Sequence, residues 1–176
     1  CEYMPENCWG SGVPPGFDVA HGEIRDVQEN DNLDIFQQQI WDFRQWMADR
    51  GYGGMPLLVT EYGVLMPELL GFDVSRVNRY MSGSFDFMAT ATDPLLGDPA
   101  DGFRLVQRWA WFSLDAPTYE QDPTGFNGNL FNPDTDDITP FGLNYASHTS
   151  SLSPSPYVDI GLSAWDLGAV GVPLSP

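Results

Sequence analysis

Between Asn32 and Arg50 the apolar residues Leu33, Phe36, Ile40, Phe43 and Met47 recur at alternating spacings of three and four, the period of one buried helical face. Asp31 or Asn32 supplies the cap of this predicted helix, and Gly51 ends it. After Tyr52-Gly53-Gly54, the run Leu57 to Val64 is apolar on both alternating faces, which predicts a strand covered on both sides. The order then repeats. Asp73 caps a second helix with Val74, Val77, Met81, Phe85 and Met88 on one face, and Asp93-Pro94 closes it. Leu105 to Phe112, rich in aromatics, reads as the next strand. Two helix-to-strand units in succession predict an α/β fold with a parallel sheet. Thr139-Pro140 then caps a short helix through about His148.

Elsewhere the pattern lapses. Residues 1 to 31 are rich in Gly, Pro, Asn and acidic side chains with no sustained period, which predicts a long loop, and loops of such length are often functional. Asp115 to Asp137 reads as a second loop. Residues 150 to 156 have the small, polar, proline-punctuated composition of a linker. Beyond it Val158, Ile160 and Leu162 alternate with Asp159, Gly161 and Ser163, the start of a β module, such as a β-sandwich, that 157 to 176 is too short to complete. The expected organisation is therefore a fold-bearing part at 1 to 149, a linker, and a truncated further module.

Charge narrows the partners. The 176 residues carry seven basic side chains, all arginine, against 25 acidic ones, a formal charge of −18. That field repels nucleic acid and anionic membrane and leaves neutral ligands such as sugars compatible, although adaptation to salt or a compositional bias gives the same charge. No apolar run of about 18 residues predicts membrane insertion. The chain begins at Cys1 with no charged-then-apolar leader, so a soluble fragment or processed product is expected. Cys1 and Cys8 are close enough in sequence for a local disulfide in an oxidising compartment, which points to secretion. With His21 and His148 at no ligand spacing, neither a metal nor another cofactor is expected.

The chemistry-bearing segment is Met55-Pro56-Leu57-Leu58-Val59-Thr60-Glu61-Tyr62-Gly63-Val64, an apolar strand that runs into a glutamate and then a glycine. A carboxylate at the carboxyl end of a buried strand stands where parallel α/β folds present catalytic groups, although such a residue also serves as an ordinary ion-pair partner. In the next strand, Trp109, Trp111 and Ser113 share one face by alternation and Arg108, Ala110 and Phe112 the other. Indoles stack on pyranose rings, though core packing is their commoner use. Glu68, Asp73 and Asp115 also follow element ends, where capping or solvated roles are usual.

Pro56-Leu57-Leu58-Val59-Thr60-Glu61-Tyr62-Gly63, its helical frame, and Arg108-Trp109-Ala110-Trp111-Phe112-Ser113 about fifty residues later resemble strands seven and eight of the (β/α)8 barrel of retaining glycoside hydrolases, the clan of cellulases, mannanases and xylanases. The resemblance covers residues 1 to 149. It implies the C-terminal part of a TIM barrel, with Glu61 as nucleophile, Trp111 or Trp109 as the floor of a sugar subsite, and Tyr62 beside them. Trp9, Tyr3 and Tyr119, on predicted loops, are further candidates to line a glycan cleft, with plain surface packing the alternative. It further implies a β-linked polysaccharide substrate and no cofactor. The clan's acid/base glutamate follows an asparagine at the end of strand four, which has no counterpart here. The N-terminal half of the barrel is thus an expected partner, and the isolated chain is expected to be inactive and marginal, oligomeric or partner-dependent. A non-catalytic sugar-binding protein or scaffold using its Trp and Tyr side chains is the alternative.

Overall fold

The computed structural model describes residues 8–11, 23–64, 66–118 and 127–150, with the backbone alone at 8–11 and 23–25. Two helices form where the period of three and four predicts them. Helix α1 spans Leu33–Asp49, and the Asn32 side chain accepts the Asp34 and Ile35 N–H groups at its start. Helix α2 spans Val74–Thr90, capped by Asp73 through the Arg76 N–H. The α2 stripe Val77, Met81, Phe85 and Met88 is fully buried and forms the centre of the core with Val64, Phe72, Leu105 and Val106. Helix α3, Pro140–Thr149, starts at the Thr139 cap and lies against α2.

The α1 face departs from its expected composition at one step. Phe43 is 47% exposed, while its neighbour Arg44 has no exposure at all. The arginine is buried because its guanidinium finds acceptors on the strand starts: Nε donates to Leu105 O at 2.6 Å, Nη1 to Met55 O at 2.9 Å, and Nη2 to Gln107 Oε1 at 2.7 Å. An apolar period cannot anticipate a charged group that is satisfied after folding.

Strands β1 (Cys8–Ser11) and β2 (Glu23–Asp26) pair antiparallel, Cys8 opposite Asp26, inside the segment expected to be only a loop. Their residues have mixed polarity and show no two-residue apolar alternation, so the sequence signal for a strand is missing there. Strands β3 (Leu58–Tyr62) and β4 (Arg108–Trp111) pair parallel, Leu58 opposite Arg108 and Val59 opposite Trp109. The described strands thus form two separate two-stranded sheets. β3 is not covered on both sides as expected. Leu58 is 55% exposed and Thr60 is also exposed, while Leu57 is buried and Val59 partly so, which leaves one face of β3 uncovered among the described residues. The β4 ladder is also shorter than expected, with Leu105 and Val106 buried ahead of it.

The linker expected at 150–156, save Ser150, and the module expected at 157–176 lie outside the described residues, as do Cys1, Tyr3, His21 and Tyr119. Cys8 and Trp9 stand in β1, where the backbone alone is described. Among the described residues no helix is long and apolar enough to cross a membrane, and no three His, Cys, Asp or Glu side chains gather as a metal site.

Candidate functional site

At the carboxyl end of β3 the ladder slips. Val59 pairs with Trp109 and Tyr62 with Trp111, so Thr60 and Glu61 together oppose Ala110. The extra residue is a β-bulge, a device that redirects a side chain and is over-represented beside active sites. Glu61 absorbs it with φ +55°, a left-handed conformation that a Cβ-bearing residue other than Asn or Asp rarely adopts. The carboxylate is left exposed.

Glu61 opens into a groove of about 470 Å3 between α1 and β3, lined by Phe36, Gln39, Ile40 and Phe43 on one side, Leu57 to Gly63 on the other, and Tyr80. It is the one charged residue in that lining, although the whole chain carries 25 acidic side chains. Four of the lining side chains, Phe36, Phe43, Tyr62 and Tyr80, are aromatic. Phe36 stacks on Tyr62 with ring centres 5.5 Å apart, and Tyr62 meets the edge of Trp111 at 5.6 Å.

Burial pushes the phenols of Tyr62 and Tyr80 well above their ordinary value. Ser84 Oγ spends its own hydrogen on Met81 O at 3.0 Å, so in the 3.3 Å contact with Ser84 the phenol of Tyr62 is the donor. Tyr62 is therefore a protonated, anchored wall beside Glu61.

The tryptophans stand together as expected, but their shared face turns inward. Trp111 is 7% exposed, with Tyr62, Tyr80 and Phe85 around it, and its indole N–H donates to Gly128 O at 2.8 Å. Trp109 is half-buried against Phe85 at 5.8 Å. The open platform expected of Trp111 is corrected to a support behind Tyr62. The reason is helix α2, whose Phe85 fills the space on that side of the sheet. Strand alternation alone does not say which face a helix covers. Phe36, buried as its helical spacing predicts, lines the groove together with the exposed Phe43 and with Tyr80 of α2. Asp73 is a helix cap, and His148 meets Asp86 at 3.3 Å, with its ring against Phe85.

Comparison of the chain with protein-family models, with curated proteins and with solved structures finds no match in any of the three.

Proposed function

We propose that this chain is the C-terminal barrel portion of a secreted retaining glycoside hydrolase, with β3 and β4 as strands seven and eight and Glu61 as nucleophile. One observation carries the reading: a strand-end glutamate held at φ +55° by a bulge, exposed in a groove whose lining is otherwise uncharged and includes Phe36, Phe43, Tyr62 and Tyr80. A non-glycine residue kept in that conformation costs about 1 kcal/mol or more, and such strain concentrates at functional sites.

In this mechanism a Glu61 carboxylate oxygen attacks the anomeric carbon. The bond to the leaving oxygen breaks as a second carboxyl group, about 5 Å away, protonates that oxygen. The second group, now a carboxylate, takes a proton from water, whose oxygen displaces Glu61 and restores both residues. No other carboxylate lines the groove among the described residues, so the second group is assigned to the rest of the enzyme. The neutral lining suits an uncharged β-linked polysaccharide, which an acidic protein does not repel.

In the intact enzyme, Glu61→Gln is expected to lower hydrolysis of β-linked glucan or mannan on the order of 1,000-fold or more with folding retained. Near-normal turnover in that variant removes Glu61 from the mechanism. The solitary carboxylate also favours a second reading, a non-catalytic sugar-binding groove. Oligosaccharide binding by the 176-residue chain, lost on Phe43→Ala and kept on Glu61→Gln, selects it.

A further inference from the structure

We infer that Gly63 is the positioning residue for Glu61, a role that rests on the functional reading of Glu61 above but is fixed by backbone geometry. The β3–β4 ladder is pinned on both sides of the bulge. Before it, Gln107 N–H donates to Leu57 O at 3.0 Å while Gln107 Oε1 accepts Leu57 N–H at 2.7 Å. After it, Phe112 N–H donates to Tyr62 O at 2.8 Å. Trp111, paired with Tyr62, is in turn tied to Gly128 O, so β4 is not free to slide and take up the extra residue.

The closure after the bulge depends on Gly63. A Cβ built there would collide with the Phe112 carbonyl oxygen and come within 3.4 Å of the Trp111 ring. Gly63 has no positive φ, so glycine is needed for space and not for backbone conformation. With that closure made, the surplus residue is confined between Val59 and Tyr62, and Glu61 takes a left-handed turn of the kind that glycine adopts without steric cost. With a side chain at 63 the strand ends separate, and Glu61 relaxes toward extended backbone. Gly63 thus sets where the carboxylate points.

The test is amide hydrogen exchange and the Glu61 HN–Hα coupling in the 176-residue chain, read without substrate so that failure here leaves the Glu61→Gln activity result untouched. In Gly63→Ala, Phe112 N–H is expected to exchange about tenfold faster or more, while Gln107 N–H keeps its protection and reports that the fold persists. The Glu61 coupling is expected to move from the left-handed toward the extended value, which a general loss of packing does not predict. Unchanged Phe112 exchange and Glu61 coupling in this variant would overturn the inference, as would an unprotected Phe112 amide in the parent chain. Should Gly63→Ala fail to fold, Glu61→Gly decides. Relief of the turn is then expected to slow Phe112 exchange severalfold, and no change counts against a link between the two positions.

Discussion

Arg44 Nη2 donates to Gln107 Oε1 at 2.7 Å, and that same oxygen accepts the Leu57 N–H at 2.7 Å. One amide oxygen therefore joins α1 to the starts of both parallel strands. Burial pulls the guanidinium below the ordinary arginine value and the charge of Asp98 opposes that pull. Arg44→Met leaves the Leu105 and Met55 carbonyls without their donor and is expected to destabilise by about 3 kcal/mol in urea melts. Gln107→Leu removes the same junction, so the double variant is expected to lose less than the sum of the two. Strict additivity would mean that the junction is not shared.

Tyr62 and Tyr80 make stability sensitive to alkali. Their folded values lie above the unfolded one of about 10, so the native state keeps protons that the unfolded chain releases. The contribution is whole below about pH 10 and falls as pH rises beyond it, by up to about 1.4 kcal/mol per pH unit for each phenol. Urea midpoints are expected to drop between about pH 9 and 11, and to drop less in a Tyr62→Phe, Tyr80→Phe variant. An equal drop in both proteins would place the effect at other groups.

Among the described residues β3 pairs on one side alone, and an open strand edge is a liability of a kind that natural proteins blunt with lysine. Leu58 is 55% exposed on that strand. The charge of −18 holds copies apart at low ionic strength, so self-association is expected to emerge as salt rises from about 0.05 to 0.5 M and to be suppressed by Leu58→Lys. Sedimentation velocity reads this directly. A chain monomeric at both salt concentrations would show that other residues shield the edge.

The helical caps and apolar stripes were legible because both are local: Asn32, Asp73 and Thr139 cap the helices their neighbours form, and the Val77 to Met88 stripe is buried as its spacing predicts. Glu61 was legible as a strand-end carboxylate, its left-handed turn was not. That turn depends on a register slip against a strand fifty residues away, and no local pattern encodes it. The burial of Arg44 is illegible for a similar reason, since its acceptors are two backbone carbonyls and the Gln107 side-chain oxygen, brought together from two segments distant in sequence. Strand alternation gives the shared face of Trp109 and Trp111 but not the side it turns to, because that side is chosen by α2 and not by β4.

Glu61 also offers a test of whether its conformation is maintained against stability. A Cβ-bearing residue other than Asn or Asp meets the full steric penalty at φ +55°, so Glu61→Ala is expected to give no relief from it. Glycine escapes the penalty of about 1–2 kcal/mol but adds about 0.5–1 kcal/mol of unfolded-state entropy, which leaves Glu61→Gly more stable by roughly 0.5–1 kcal/mol. Asparagine, which tolerates this region, is expected between the two. Thermal melts of the three variants would give the order Gly, Asn, Ala. A position that gains stability when its side chain is removed, in a groove where that side chain is the sole charge, is one where the residue is retained for chemistry and not for folding. If alanine stabilises as much as glycine, the gain comes from removing the exposed carboxylate from a chain of charge −18, and the strain argument for Glu61 fails.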